Sequence, residues 1–238
     1  MKNHEISIII PCYNSGEYLP EAIESVRTYA GNYTYEIIVI DDGSNDEKTL
    51  SVLENLKDTE NITLLRQQNQ GLSAARNAGC RIAKGEFLLF LDSDNTIFPE
   101  YIDLSINFLR KNPEFGVFYG QPEFIGDINS RYGFDVDEFD IDEMLINNYI
   151  DACAVVRKTA FENVGGFDEQ LRCFEDYDFW LSIYEKQWKF HFCKKTLYQY
   201  RILQTSLIGS GSNDFFNQAF IRICTKHLNV LLSRFNIP

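Results

Sequence analysis

Two aspartates separated by one residue follow a strongly apolar segment. The stretch EFLLFLDSDN runs from the apolar residues 87–91 directly into Asp92, Ser93 and Asp94. A carboxylate at the end of a buried strand is costly unless a cation or hydrogen-bond donors pair with it. Two oxygen ligands at one sheet edge suit Mg²⁺ or Mn²⁺, whose shell is often completed by waters and phosphate oxygens. A capping turn before a helix starting near Pro99 is the alternative.

Two other polar segments also follow apolar runs. In PCYN (11–14), Pro11 fixes the backbone and removes an N–H group, and the ring of Tyr13 could stack on a flat base. An ordinary turn plugged by an aromatic ring is the alternative. In DDGSN (41–45), Asp42 could accept the imide N–H of a uracil, or it could cap the next helix.

Two helix starts carry charged residues. The segment QGLSAARN (70–77) opens a helix whose free N–H groups suit an anion. Arg76, one turn in, could bind a diphosphate in forked geometry, or it could be a surface arginine. Glu175 and Asp176 open an apolar helix, where a carboxylate is favoured by the helix dipole and could also act as a general base.

Alternating strands and helices position these residues. Continuous β-branched and apolar runs predict buried strands, and patterns of helical periodicity lie between them. The predicted strands are 6–10, 36–41, 62–66, 86–91 and 116–120, and the predicted helices are 17–30, 46–57, 71–84 and 99–111. This alternation predicts an α/β fold with a parallel, doubly wound sheet and right-handed crossovers. Ligands bind such sheets beyond the carboxyl ends of the strands, where the three polar segments lie.

The pattern changes after residue 120. We interpret 121–148 as a mixed loop, whose acidic run at 135–143 is a solvated surface segment. The remaining predicted elements are a strand at 151–158, a turn at 163–169, a helix at 175–186, short strands at 189–193 and 197–201, and a tail helix at 214–235. Because no repeat, linker or low-complexity stretch occurs, we expect one domain whose second half is appended to the sheet.

Composition excludes several classes of protein. The 238 residues carry a formal net charge of −13, which argues against non-specific binding of nucleic acid but not against a local anion site. The six cysteines and three histidines are dispersed, which argues against a zinc site. No leader pattern and no apolar run of about 18 residues occurs. We therefore expect a cytoplasmic setting with reduced thiols, and leave open peripheral attachment at the inner face of the plasma membrane.

Taken together, five segments resemble a known family. They are SIIIPCYNSGEYLPEAIESV, EIIVIDDGSND, NQGLSAARNAG, GEFLLFLDSDN and VGGFDEQLRCFEDYDFWL, and they extend from residue 5 to about 185. Each is weak alone, but in this order they resemble glycosyltransferase family 2, inverting nucleotide-sugar glycosyltransferases of the GT-A fold. The resemblance implies a single GT-A domain over 1–238: a nucleotide-sugar-binding half at 1–120, a smaller acceptor and catalytic half at 121–212, and a C-terminal helical tail at 213–238.

The resemblance also implies a role for each candidate residue. The expected nucleotide-sugar-binding residues are Pro11, Tyr13, Asn14, Glu17, Asp42, Gly71, Arg76, Asp92 and Ser93. Among these, Asp42 would bind the uracil imide, and Gly71 and Arg76 would lie beside the ribose and diphosphate. Asp94 would ligate Mn²⁺ or Mg²⁺ directly, and Asp92 would face the ribose and the metal's water shell. Asp176 would be the general base, supported by Glu175.

The implied reaction is an inverting transfer. The base deprotonates an acceptor hydroxyl, which attacks the anomeric carbon opposite the phosphate, while the metal neutralises charge on the leaving nucleoside diphosphate. The implied partners are a nucleotide-sugar donor, most simply a UDP-sugar, and a sugar, lipid-linked or protein acceptor of surface or capsular polysaccharide synthesis. The acidic run predicts that the acceptor is not strongly anionic. The sequence does not indicate an oligomeric state.

Departures from the family pattern leave alternatives open. Ser182 stands where relatives often have Arg or Lys, and Leu203 stands where many have a metal-contacting His; Gln204, Thr205 and Ser206 are weak substitutes. A catalytically silent nucleotide-sugar-binding module therefore remains an alternative. A nucleotidyltransferase would need GxGxR after the first strand and a dehydrogenase GxGxxG, and PCYNSGEY is neither. GSGS at 209–212 does not follow a strand that opens a βαβ unit.

Overall fold

A computed structural model describes residues 4–57, 59–128, 135–203 and 213–234. Its strands are β1 (Ile6–Cys12), β2 (Tyr35–Asp41), β3 (Ile62–Arg66), β4 (Phe87–Phe90), β5 (Thr96–Ile97), β6 (Phe115–Gly126), β7 (Val155–Arg157) and β8 (Lys189–Ile202). Its helices are α1 (Leu19–Arg27), α2 (Glu47–Leu56), α3 (Leu72–Ile82), α4 (Glu100–Lys111), α5 (Ile141–Ile146), α6 (Lys158–Val164), α7 (Glu175–Glu185), α8 (Asn213–Lys226) and α9 (Leu228–Arg234).

The described strands form one sheet in the order β3-β2-β1-β4-β7-β6-β8-β5. The pairs β1–β2, β2–β3 and β1–β4 are parallel, as the alternating pattern predicts. In this register Cys12 lies beside Asp41 and Ile9 beside Phe90. The carboxyl ends of β1, β2 and β4 therefore meet at one edge, and the predicted α/β fold with a central sheet flanked by helices is confirmed.

Helices cover both faces of the sheet. Ile8 and Ile10 of β1 pack into one apolar cluster with α1 and α4, and Ile9 packs into the other with α3 and α7. This division follows the two-residue period of a strand. Helix α3 approaches closely because Gly79 faces the sheet: a Cβ there would lie 2.8 Å from Ile9 and 2.7 Å from Ile40. The strand core thus fixes where α3 begins, and with it the position of Gly71 and Arg76.

The second half of the chain departs from the predicted pattern. Of the predicted strand 151–158, only β7 is a strand, and it is antiparallel to both β4 and β6. Helix α6 follows β7 directly and includes the first two residues of the predicted turn at 163–169. Gly165, which has a left-handed backbone (φ 83°), caps the C-terminal end of α6. The two short strands are one strand, because β8 pairs with β6 along its length through irregularities in register.

The tail and the acidic run also differ from the expectation. The predicted tail helix is divided into α8 and α9 at His227, whose buried side chain contacts Asp178 of α7. In the acidic run the carboxylates are mostly exposed as expected, but Val136 and Ile141 between them are buried in the core. The run is therefore packed against the protein by its apolar residues. Among the described helices, none is long and apolar enough to cross a membrane.

Candidate active site

The loops after β1, β2 and β4 are bound to one another at the carboxyl edge of the sheet. Asn14 has a left-handed backbone (φ 50°). Its side chain makes two hydrogen bonds with Asn45: Nδ2 of Asn14 donates to Asn45 Oδ1 (3.0 Å), and Oδ1 of Asn14 accepts from the backbone N–H of Asn45 (2.9 Å). The hydroxyls of Ser15 and Ser93 are 2.7 Å apart. The structure therefore brings the three predicted polar segments together.

The residues expected around a base differ in exposure. The ring of Tyr13 is 50% exposed, so one face is open to a flat ligand. Pro11 is buried within β1, opposite Ile40 of β2. Glu17 is exposed, and its carboxylate lies 3.7 Å from the ammonium of Lys48. Of these side chains, Tyr13 has the geometry of a stacking surface.

Asp42 organises the loop that opens α3. Its Oδ1 accepts from the backbone N–H of Gln70 (2.9 Å) and from Gln67 Nε2 (2.8 Å), and its Oδ2 accepts from the N–H of Gly71 (2.8 Å). Gly71 has φ 94°, which glycine tolerates readily. The capping alternative for Asp42 is wrong, because Asp46 caps α2 by accepting from the N–H of Thr49 (2.8 Å). The second lone pair of Asp42 Oδ2 remains for a ligand N–H.

Arg76 is buried between two carboxylates. Its side chain is 1% exposed; Nη1 donates to Glu175 Oε1 (2.6 Å) and Nη2 donates to Asp92 Oδ1 (2.7 Å). The guanidinium also lies over the ring of Phe167, at 5.3 Å from its centroid. Burial opposes the charge, but the two carboxylates outweigh it and raise the pKa of Arg76. The surface-arginine alternative is wrong: Arg76 joins the DSD loop to the start of α7.

A cluster of carboxylates surrounds this arginine. Burial, and then the charge of Asp92, raises the pKa of Asp94 to about 6 and raises the pKa of Asp151 as well. Burial, Glu175 and Asp151 together raise the pKa of Asp176 well above its ordinary value, against the opposing effect of Arg76. The raised pKa makes the ionised form of Asp176 a stronger proton acceptor, which suits a general base.

Sequence reasoning missed Asp151. It lies just before β7, within the segment that the sequence predicts to be a strand, so it was not assigned to the site. The available signal was the same as for Asp92, namely an acidic residue adjoining an apolar run with no cation nearby in the sequence. The antiparallel insertion of β7 between β4 and β6 is what carries Asp151 to the carboxyl edge.

Asp92 and Asp94 fit a divalent cation that keeps other ligands. Neither caps α4, whose N-terminus at Pro99 has no side-chain cap. Within the described ranges, no three His, Cys, Asp or Glu side chains are grouped so that they could hold a metal. Mg²⁺ and Mn²⁺ are commonly held by one or two carboxylates together with waters and substrate phosphates, so two suffice. The raised pKa of Asp94 marks negative charge that a cation would compensate.

On the C-terminal side of the site, Arg201 lies two residues before Leu203, the position at which many relatives have a histidine. Arg201 Nε donates to the backbone carbonyl of Asp94 (3.0 Å) and Nη2 donates to Glu21 (2.6 Å). Leu203 ends the described segment, and Gln204, Thr205, Ser206 and 209–212 lie outside the described residues. Ser182 is buried in α7, where its hydroxyl donates to the carbonyl of Asp178 (2.9 Å), so it supplies no group to the site.

Comparison with known proteins decides the family. The model of the family "Glycosyl transferase family 2" matches residues 7–165, two thirds of the chain. This chain belongs to glycosyltransferase family 2. The resemblance predicted from the five segments and the GT-A fold that it implies are confirmed, and the enzyme class of the family, glycosyltransferase, is the one predicted.

Relatives within family 2 extend beyond this chain. An uncharacterized glycosyltransferase of Haemophilus influenzae is 30% identical over 189 residues, covering 76% of this chain and 62% of that protein. The minor teichoic acid biosynthesis protein GgaB of Bacillus subtilis is 25% identical over 243 residues, covering 96% of this chain but 27% of its own length. The chain therefore spans less than two thirds of these relatives.

A solved crystal structure has the same fold. The crystal structure of S. aureus TarS residues 1–349 in complex with UDP-GlcNAc superposes with a TM-score of 0.77 at 23% identity, covering 94% of this chain and 67% of that one. A structure of the same TarS segment in complex with UDP gives a TM-score of 0.73. At this identity the similarity establishes the fold of the chain.

Proposed function

We propose that this chain is an inverting glycosyltransferase that moves a sugar from a nucleoside diphosphate sugar, most simply a UDP-sugar, to an acceptor hydroxyl. The observation that carries this proposal is the buried bridge of Arg76 between Asp92 and Glu175. The bridge places the DSD loop, the expected site of the donor's diphosphate, beside the start of α7, where Asp176 lies. Donor and base are thereby held next to one another, as transfer requires.

The donor site is built from the loops after β1 and β2. The exposed ring of Tyr13 would stack on the base, and Asp42 would accept the imide N–H at its remaining lone pair. Gly71, whose N–H is bound by Asp42, would lie beside the ribose at the start of α3. The complexes of TarS with UDP and UDP-GlcNAc support a uridine donor in a fold of this kind.

Asp94 and Asp92 would hold Mn²⁺ or Mg²⁺ against the diphosphate. The ion, when bound, supplies positive charge that stabilises the departing nucleoside diphosphate. Asp94 offers its carboxylate from a loop fixed by Arg201, and Asp92 offers the oxygen that does not accept from Arg76. Arg76 fixes the orientation of Asp92 and therefore acts on the donor through that carboxylate.

Asp176 would remove the proton of the acceptor hydroxyl. The oxygen then forms a bond to the anomeric carbon on the face opposite the phosphate, the bond to the diphosphate breaks, and the proton stays on Asp176. Glu175 and Asp151 repel negative charge on Asp176 and so strengthen its affinity for that proton. The charge of Arg76 acts in the opposite direction and favours the ionised carboxylate that can accept the proton.

We place the reaction in the synthesis of a cell-surface glycopolymer. The name of the relative GgaB supports this setting. The six cysteines are all free, which agrees with a reducing cytoplasm, and attachment to the inner face of the membrane would bring the site to a lipid-linked acceptor. In this proposal the chain consists of a donor-binding half at 1–120, an acceptor and catalytic half at 121–212 and a C-terminal tail at 213–238.

A thermal-shift experiment tests the donor. A ligand that binds the folded state raises the melting temperature, so UDP-sugars should stabilise the protein, more strongly with Mn²⁺ than without it. GDP-sugars serve as the control for the base. A failure of every UDP-sugar to stabilise the protein with Mn²⁺ would contradict the proposal. Stabilisation without any release of UDP would favour the catalytically silent binding module.

A further inference from the structure

In the described part of this acidic protein, one arginine has no acidic partner. Among the described residues, every other arginine has a nitrogen within 4.0 Å of a carboxylate oxygen: Arg27, Arg66, Arg76, Arg81, Arg110, Arg157, Arg201, Arg222 and Arg234. Arg172 makes no ion pair within that part of the chain, although the net charge is −13. Its charge is therefore available to a ligand.

Arg172 is nevertheless held in place. Its Nη1 donates to the backbone carbonyl of Gln70 (3.2 Å), and the N–H of the same residue is bound by Asp42. A Cβ on Gly71 would lie 2.7 Å from Nη1, so the glycine lets the guanidinium lie against the backbone. One contact occupies one of the five N–H groups of the guanidinium, and the rest of the fork can bind an oxyanion in two-point geometry.

Arg172 lines a cavity of about 270 Å³ between the segment 170–173 and helix α8. Gln170 and Gln218 add carboxamides to the wall, and Arg222 completes it. The charge of Arg222 is neutralised by Asp168, which accepts from Nε (2.8 Å) and Nη2 (3.1 Å). The cavity thus offers one uncompensated cation and neutral hydrogen-bonding groups, which is the chemistry that binds a single phosphate or carboxylate.

We infer that this cavity binds an oxyanion carried by the acceptor, either a phosphodiester or the carboxylate of an acidic sugar. The assignment to the acceptor rests on the proposed function. One reason for assigning the cavity to the acceptor is its position, because Cys173 in its wall is three residues before Asp176. The other reason is that the donor's diphosphate has its own proposed site at Asp92 and Asp94. The inference reverses the sequence-based expectation that the acceptor is not strongly anionic.

Calorimetry on protein saturated with UDP and Mn²⁺ tests the inference. Glycerol 1-phosphate probes the phosphate source, glucuronate probes the carboxylate source, and glucose is the neutral control. We expect one of the two anions to bind and glucose not to bind. Arg172→Gln should weaken that binding by at least about tenfold, the loss expected for a charge-assisted contact. Arg27→Gln, an exposed arginine on α1 at the other face of the sheet, should leave it unchanged.

Three results would overturn the inference: no binding of either anion, equal binding to Arg172→Gln, or competition between the anion and UDP, which would place the anion in the donor site. A failure of UDP itself to bind would contradict the proposed donor site separately. Binding of the anion that is still lost in Arg172→Gln would then support the cavity as an oxyanion site. Because Arg172 is exposed, the melting temperature of Arg172→Gln should match that of the unchanged protein, which confirms that the variant is folded.

Discussion

At the scale of single residues, Arg76 has the largest structural role in the proposed site. A buried charge is tolerated only when its partners compensate for lost hydration, and Arg76 has two carboxylates at hydrogen-bond distance. Removing the guanidinium leaves Asp92 and Glu175 as unpaired carboxylates in a poorly hydrated place. Arg76 thus stabilises the fold and also orients Asp92 for the proposed reaction. Measurements of stability and of activity separate these two roles.

Arg76→Gln should therefore destabilise the protein by about 3–5 kcal/mol, as measured by urea unfolding. Arg76→Lys keeps the charge but not the forked guanidinium that reaches both carboxylates. Its stability should therefore lie between that of Arg76→Gln and that of the unchanged protein. Arg27→Gln, whose ion pair with Glu24 is exposed, is the matched control and should unfold close to the unchanged protein. A free energy of unfolding for Arg76→Gln within about 0.5 kcal/mol of the unchanged protein would contradict the assigned bridge.

The raised pKa of Asp94 predicts how stability depends on pH. Because the pKa of this carboxyl is about 6 in the folded protein, above the 3.8 of an exposed aspartate, the folded state binds more protons between these values. Metal-free stability should therefore fall as pH rises from about 4 to about 6. Asp94→Asn should remove part of this fall, raise the melting temperature at pH 7.5 without metal, and weaken stabilisation by Mn²⁺.

The control for this variant is Asp135→Asn, an exposed residue of the acidic run that should change neither the pH profile nor the response to Mn²⁺. If Asp94→Asn keeps the full Mn²⁺ response of the unchanged protein, Asp94 is not a metal ligand. If it lowers the metal-free melting temperature at pH 7.5, the carboxylate is not the source of repulsion that its pKa indicates.

At the scale of elements, the C-terminal helices are bound to the helix that carries the base. Asp178 of α7 is fully buried; its Oδ2 accepts from Lys226 Nζ of α8 (2.6 Å), and its Oδ1 lies 3.1 Å from His227 Nε2 between α8 and α9. Helix α8 also places Ile223 in the core. The orientation of α7, and so of Asp176, depends on these two helices.

Asp178→Asn should consequently lower stability by about 1.5–3 kcal/mol, because a neutral amide replaces the fully buried carboxylate that Lys226 and His227 contact. The matched control is Asp142→Asn, which breaks the exposed pair between Asp142 and Arg234 of α9 and should have a smaller effect. Urea unfolding of both variants gives the comparison. Equal losses in the two variants would show that the buried contact does not hold α8 to α7.

The elements also show what the sequence can predict. Runs such as ISIII predicted β1, β2 and β4 because a strand buried on both faces must be apolar throughout. The strand predicted at 151–158 was too long, and the direction of β7 was not predicted, because it is set by pairing with β4 and β6, which are distant in sequence. Helix α6 was missed because its seven residues are too few for a periodic pattern.

The site was predictable to a similar degree. Polar residues after buried strands indicated the carboxyl edge, and hydrogen bonds between Ser15 and Ser93 and between Asn14 and Asn45 do join these loops there. The partners of Arg76 were not predictable, because Glu175 is 99 residues away in the sequence and the bridge forms only once α7 packs beside α3. Asp151 was hidden for the same reason, since its neighbours are set by the insertion of β7 into the sheet.

At the scale of the whole molecule, an acidic chain forms one sheet whose carboxyl edge collects five carboxylates around one arginine. Burial, together with the charges of Asp92, Glu175 and Asp151, raises the pKa of Asp94, Asp151 and Asp176, and a nearby positive charge would compensate for this. The overall negative charge therefore does not prevent binding of an anionic donor, provided that a divalent ion accompanies it. Membership of glycosyltransferase family 2 gives this arrangement its reaction class.

Asp176 as general base is tested most directly by the release of UDP from a panel of UDP-sugars in Mn²⁺, measured for the unchanged protein and for Asp176→Asn. We expect turnover of at least one UDP-sugar by the unchanged protein. We expect a rate about 10²–10⁴-fold lower in Asp176→Asn, since the variant lacks the proton acceptor. The affinity for UDP, measured by calorimetry, should be retained. Turnover in Asp176→Asn equal to that of the unchanged protein would contradict Asp176 as the general base.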